Sequence, residues 1–283
     1  KDLISQIETK RIFNVPFFNS GLIQIFVGLF RKVVIADNLA VYVDMVYANP
    51  DMYNSNTLIL ATIFYAFQIY YDFSGYSDIA IGTAKLLGFE FKQNFNFPYF
   101  STSITEFWRR WHISLSSWLR DYLYISLGGN RKGIKKTYRN LMITMLLGGL
   151  WHGSSFNFII WGAIHGLALS TEKMFFSKSY FLKWNIFFRP FNLLITFSIV
   201  LFSWIFFRSP DILTSKTIIY KILKYETTLP FVDHITVVIT CFMALLIGLA
   251  FDFYLYKKNI SLEEYGFHMS TKKIVLLITF IVM

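Results

Sequence analysis

Apolar residues fall along this chain in long runs rather than in short alternations. Residues 141–147, 193–207, 235–251 and 274–283 carry no charged side chain, and short polar stretches separate them. A helix crossing a ~30 Å hydrocarbon layer needs about 20 mostly apolar residues. The pattern therefore predicts an all-α, multi-span integral membrane protein. Residues 1–15 read as a polar, amphipathic, interfacial stretch. Residues 21–36 read as a short span or a tilted amphipathic helix, because Arg31 and Lys32 interrupt them. A long helix is expected over 57–89, with a polar middle at 70–78. A loop with Asn94, Asn96 and Pro98 comes next, then one aromatic and basic helix over 103–127, broken at Gly128-Gly129-Asn130. Further spans are expected over 140–170, 191–207 and 234–256, with a last one from Ile274. The order shows no internal repeat, so residues 1–283 are read as one membrane-embedded domain. The chain starts at Lys1 and stops at Met283 inside an apolar run, which reads as a fragment of something longer.

Composition agrees. Of 283 residues, 55% are hydrophobic and 16% charged, against roughly 25% charge in a soluble domain. The net charge of +10 raises the question of nucleic acid, but the placement of the charges argues against it. Basic residues crowd into a few loops, as cytoplasmic flanks of membrane helices do. Arg109, Arg110, Arg120, Arg131, Lys132, Lys135, Lys136 and Arg139 are opposed over that stretch only by Glu106 and Asp121. No nucleic-acid-reading motif accompanies them. The single cysteine, Cys241, lies in an apolar run, which disfavours a disulfide, an acyl-cysteine intermediate and a cysteine metal site. No metal ligand set is expected.

Polar groups inside membrane helices are costly, so each is a functional hypothesis. Three segments break the hydrophobic rule. In 70–78, Asp72 and Asp78 fall on different faces of a helix, while Gly75, Asp78 and Gly82 share a stripe with Lys85 one turn beyond. These polar residues either fix helix packing or line a cavity. In 107–116, Trp108, His112 and Leu119 stack on one side of the expected helix, and Arg109, Ser116 and Arg120 take another. The arginines suit either membrane anchoring or a cradle for an anionic ligand. His112 is equally readable as a structural or a working histidine. In 148–155, a helix would align Gly148, His152, Ser155, Ile159, Gly162 and Gly166, so that His152 stands in a row of mostly small residues beside Trp151 and Gly153. That context favours a functional histidine. If 131–139 marks the cytoplasmic edge, His152 lies ~18 Å past Asn140 at ~1.5 Å per residue, about halfway through the layer. A neutral imidazole there can act as a general base. His165 reads as structural or interfacial, and His234 and His268 as helix-edge residues.

Three strings together, YYDFSGYSDIAIG (70–82), QNFNFPYFSTSITEFWRRWHISLSSWLRDYLYISLGGNRKG (93–133) and GGLWHG (148–153), resemble the membrane-bound O-acyltransferases. The likeness is to the branch acting on bacterial alginate, peptidoglycan and other surface polysaccharides, with the teichoic-acid D-alanyl transferases more distant. It is dense over 70–166 and extends back to GLFRKVVIADNLA (28–40). The resemblance implies a funnel-shaped helical fold with a central pore in the bacterial inner membrane, and His152 and His112 as the family's two active-site histidines. It implies transfer of an acetyl or other short acyl group from a cytoplasmic donor to a hydroxyl acceptor outside. The donor would be acetyl-CoA or a similar thioester, with no bound cofactor. The acceptor would be a periplasmic or extracellular partner protein that passes the group to polysaccharide. Arg109, Arg120, Asp72, Asp78, Trp151, Ser155 and Asn157 are the candidate substrate-binding residues. The family's N-terminal spans are missing, and Ser126 stands where a proline is expected. A transporter or flippase would also carry a polar midplane, but would more often show an internal repeat.

Overall fold

A computed structural model describes residues 2–10, 12–175, 188–227 and 235–267. The expected span from Ile274, and His234 and His268, lie outside the described residues. Every regular element among the described residues is helical. The chain divides into two compact units. One comprises Lys1–Val41, Phe67–Asn94 and His234–Met283, the other Tyr42–Ala66 and Phe95–Asp233.

In the first unit, α1 (Asp2–Glu8) precedes α2 (Val15–Leu29), which runs on through a π-helical stretch, Phe30–Ala36, into the start of α3 (Asp37–Ala48), whose residues from Tyr42 belong to the second unit. The polar pair at 31–32 therefore does not end the helix. The second half of α4 (Ser55–Leu86) packs antiparallel on α2 through reciprocal glycines. A methyl group on Gly28 would sit 2.7 Å from the Gly75 carbonyl, and one on Gly82 would sit 2.6 Å from that of Gly21. The stripe Gly75–Asp78–Gly82 faces α2, because only glycine lets two helix backbones approach so closely.

Arg31 is thereby buried and ion-paired at 2.5 Å to both Asp78 and Asp252. Asp252 comes from α11 (Ile235–Lys258) and also accepts from the Tyr70 hydroxyl at 2.9 Å. Gln24 donates to Asp78 at 3.2 Å. Lys85 is buried against Ser20 and Glu263, the latter in α12 (Leu262–Phe267). Cys241 is buried with its thiol toward the Asn38 carbonyl, 3.3 Å away.

The second unit holds α5 (Ile104–Arg110), α6 (Ile113–Trp118) with a π-helical continuation Leu119–Tyr124, α7 (Ile134–His152), α8 (Phe156–Phe175), α9 (Arg189–Arg208) and α10 (Ile212–Lys224). Two expectations are corrected here. The helix over 103–127 is broken at Trp111, which is extended, and His112, which is left-handed at φ 43°. Arg109 and Arg120 therefore do not share a helix face. The span over 140–170 is a hairpin of two helices. Gly153 closes α7, its N–H bonding the Leu150 carbonyl at 3.2 Å, and the Ser155 hydroxyl accepts the Asn157 N–H at 3.3 Å to open α8. The arms run antiparallel, with Gly149 on the Phe158 carbonyl, Gly162 on that of Met145 and Gly166 on Met142. The small residues thus pack one arm on the other instead of forming a row with His152.

Among the described residues, α9 and α11 are the two helices long and apolar enough to cross a membrane by length and composition. The amphipathic α10 was not expected. Asp211 caps it by accepting the Thr214 N–H at 2.8 Å, and Lys221 reaches back to the Pro50 and Asp51 carbonyls.

Candidate active site

The hairpin tip places His152 as the last residue of α7, where the chain must turn. A side chain at Gly153 would meet the Phe158 ring at 2.7 Å, so glycine is required for the turn to close on that ring. His152 is half-buried in an aromatic enclosure. Ring centroids lie 4.9 Å away for Trp151, 5.3 Å for Trp161, 4.9 Å for Phe207 and 6.1 Å for Phe158. No hydrogen bond reaches its ring nitrogens among the described residues.

His112 reaches the same neighbourhood through Trp151, whose ring stands 6.5 Å from that of His112 and 4.9 Å from that of His152. The segment before α5 holds the break that carries it. Phe95 meets Trp111 edge-on at 5.1 Å and stacks on His112 at 6.4 Å. Asn96 and Arg110 exchange bonds across the backbone, N–H to carbonyl at 2.9 Å and guanidinium to carbonyl at 3.1 Å. A left-handed conformation costs a non-glycine residue roughly 1–2 kcal/mol, and such strain persists where surroundings over-determine it. The Ser114 hydroxyl lies 3.3 Å from Nδ1 of His112.

His165, on α8, is a different kind of histidine. It is fully buried and bonded on both sides. The Trp108 indole N–H, a donor only, lies 3.3 Å from Nδ1. Nδ1 must therefore accept, and the proton sits on Nε2, 3.0 Å from the Ser203 hydroxyl. That hydroxyl donates onward to the Val200 carbonyl at 2.7 Å. This ties α5, α8 and α9 together behind Trp161.

Of the other candidates, Trp151 is exposed at the tip, Ser155 caps α8 and Asn157 is buried. The Asn157 amide group donates to the Ser209 carbonyl at 3.0 Å. Arg109 and Arg120 are exposed, and Arg120 grips Asp121 through two bonds of 2.7 and 3.2 Å. That contact holds the Asp121 carboxyl below the usual carboxylate range. Asp72 and Asp78 belong to the other unit, engaged by Lys32 at 2.6 Å and Arg31 at 2.5 Å. The Asp78 pair is buried, whereas the Asp72 pair is half-exposed.

Sequence reasoning passed over Trp161, Phe207 and Asp252. The four-residue step from Asn157 to Trp161 would have put both on one helix face. Asp252 was marked locally, as the one charged residue of the span expected over 234–256, whereas nothing local marks Phe207.

The family profile for membrane-bound O-acyltransferases matches residues 1–209. The chain is 49% identical over 214 residues to a probable alginate O-acetylase of Pseudomonas putida, covering 75% of this chain and 42% of that protein. It is 42% identical over 200 residues to a peptidoglycan O-acetyltransferase of Helicobacter pylori, covering 68% and 36%. It is 30% identical over 176 residues to a teichoic acid D-alanyltransferase of Bacillus subtilis, covering 59% and 42%. The chain thus spans less than half the length of each of these relatives.

Proposed function

The chain belongs to the membrane-bound O-acyltransferase family, and from that premise we propose that it is part of an enzyme that O-acylates a cell-surface or exported polysaccharide. The observation that carries this reading is the match of residues 1–209 to the family, within which a half-buried, unengaged His152 stands at the tip of a helical hairpin. The names of the alginate and peptidoglycan relatives support an acetyl or other short acyl group.

The donor in this reading is acetyl-CoA or a similar thioester from the cytoplasm, and the acceptor is a hydroxyl presented outside, on a partner protein that passes the group on. The acceptor oxygen attacks the thioester carbonyl carbon as His152 takes its proton. Collapse of the tetrahedral intermediate breaks the C–S bond, and the thiolate leaves with the proton from the imidazolium. His112, across Trp151, assists at the carbonyl oxygen, where a donor is worth most as charge develops. Ser155 and Trp151 line the tip, and Arg109 and Arg120 receive the donor's phosphates. The whole is a multi-pass, funnel-shaped inner-membrane protein whose pore brings the two substrates together.

Incubating the full-length protein in proteoliposomes with labelled acetyl-CoA and a polysaccharide or hydroxyl acceptor tests this. Thioester consumption coupled to acceptor labelling is expected, and His152→Ala should lower it ~10²–10⁴-fold while remaining folded and inserted. A transporter would leave the thioester intact. Near-normal turnover in His152→Ala would remove the base from the mechanism.

A further inference from the structure

Three polar groups meet around the last turn of α9 without a partner among the described residues. One is the ring of His152. The second is the indole N–H of Trp161, which is 2% exposed, and the third is the side-chain carbonyl of Asn157, which is 1% exposed. Buried polar atoms are nearly always paired, so each unpaired one calls for an explanation. Asn157 and Trp161 are one turn apart on the same face of α8. Both reach the end of α9, Trp161 packing on Phe207 at 5.4 Å and Asn157 bonding the Ser209 carbonyl at 3.0 Å. Phe207 is also the ring 4.9 Å from His152.

The chemistry of the three groups is complementary to one kind of ligand. The amide of Asn157 must turn its NH₂ toward the Ser209 carbonyl, because two carbonyl oxygens repel, so its free atom is an acceptor. The Trp161 indole is a donor only, and a neutral imidazole carries one N–H and one lone pair. A water molecule accepts twice and donates twice, and a buried water needs two to four polar partners.

We propose that Asn157 and Trp161 hold an ordered water beside His152, which accepts the Trp161 N–H and the His152 N–H and donates to the Asn157 carbonyl. The consequence lies in the tautomer. Holding the proton of His152 on the nitrogen that faces this water leaves the other nitrogen as the lone pair that takes the acceptor's proton. A base oriented by a third group is the general arrangement for such chemistry, and here the third group is a water held by two positioning residues. The tautomer role rests on the proposed acyl transfer; the water site does not.

Two measurements on the full-length protein decide it. The first is a structure at a resolution that shows ordered solvent. An oxygen peak within hydrogen-bond distance of Trp161 Nε1 and Asn157 Oδ1 is expected, and its absence overturns the proposal whatever the enzyme does. The second is Trp161→Phe, which keeps a ring against His152 and removes the N–H without touching the Ser209 contact. Its kcat, normalised to folded and inserted protein, should fall about tenfold with the KM of donor and acceptor unmoved. An unchanged kcat with the peak present overturns the tautomer role alone. If the wild-type protein transfers no acyl group, the reading of function fails, while the solvent peak still decides the site.

Discussion

Nδ1 of His165 accepts the indole N–H of Trp108 at 3.3 Å, which makes this buried histidine a bracket between α5 and α8. The same residue type therefore plays two roles on one hairpin. His165 is hydrogen-bonded at both ring nitrogens, and His152 at neither among the described residues.

The contrast yields the first prediction. His165→Ala leaves the Trp108 donor and the Ser203 hydroxyl to find new partners and opens a hole among the rings of Phe107, Trp108 and Trp161. A loss of about 2–4 kcal/mol is expected, read as a lower thermal midpoint in detergent, with donor and acceptor KM retained at permissive temperature. A stable variant with abolished turnover would instead make His165 part of the chemistry.

Arg31 supplies the second. It neutralises two buried carboxylates at once, so Arg31→Met leaves Asp78 and Asp252 facing each other without a cation. Breaking a buried pair from one side costs about 3–5 kcal/mol. Adding Asp78→Asn and Asp252→Asn to Arg31→Met should recover much of the lost thermal midpoint, because it removes the stranded charge. If the triple variant is no more stable than Arg31→Met, the cluster does not act as a charge-balanced unit.

The hairpin makes a topological prediction that a single span would not. With Gly149, Gly162 and Gly166 pairing the two arms antiparallel, Lys135 at the start of α7 and Lys173 near the end of α8 lie at the same end, and both are exposed. In a Cys241→Ser background, Lys135→Cys and Lys173→Cys should react with a membrane-impermeant thiol reagent from the same side, the cytoplasmic one if the basic residues follow the positive-inside bias. Labelling of the two from opposite faces would contradict the hairpin.

These features differ in how far the sequence announced them. The helices expected over 57–89, 191–207 and 234–256 were legible, the last two from length and apolarity and the first from a long helical pattern despite its polar middle. They lie at Ser55–Leu86, Arg189–Arg208 and Ile235–Lys258. The reversal at Gly153 was not legible, since both arms are apolar and the small residues at the turn continue the helical period. Nor was the break at His112, where neither glycine nor proline marks the chain. What holds it is Phe95 and Asn96, docked from before the helix. The buried ion cluster joins Arg31 to Asp252 across 221 residues of chain, a pairing no local pattern carries. His152 could be singled out because tryptophan, histidine and glycine in sequence are hard to explain as packing. Its aromatic enclosure needed Phe207, which reads as one more residue of an apolar span.

The last prediction concerns the route of the donor. A coenzyme A thioester carries several phosphate charges, and these cannot cheaply enter hydrocarbon. In the proposed reaction only the slim pantetheine arm would enter the hydrocarbon, so the phosphates would be held by exposed basic residues. Arg109 closes the last turn of α5 and is exposed, while Arg120 is exposed but held by Asp121. An exposed ion pair is worth ~0–1 kcal/mol, too little to keep the guanidinium from a phosphate, which it grips bidentately. Neutralising either arginine should therefore raise the donor KM more than it lowers kcat, since phosphate contacts far from the reacting carbon are equal in ground and transition states. Asp121→Asn should lower the donor KM by freeing Arg120. Higher salt should weaken donor binding in the wild type and matter less in Arg109→Gln and Arg120→Gln, because screening acts only on charges still present. If donor KM and its salt dependence are the same in all four proteins, the arginines anchor the helices in the interface and the donor enters elsewhere.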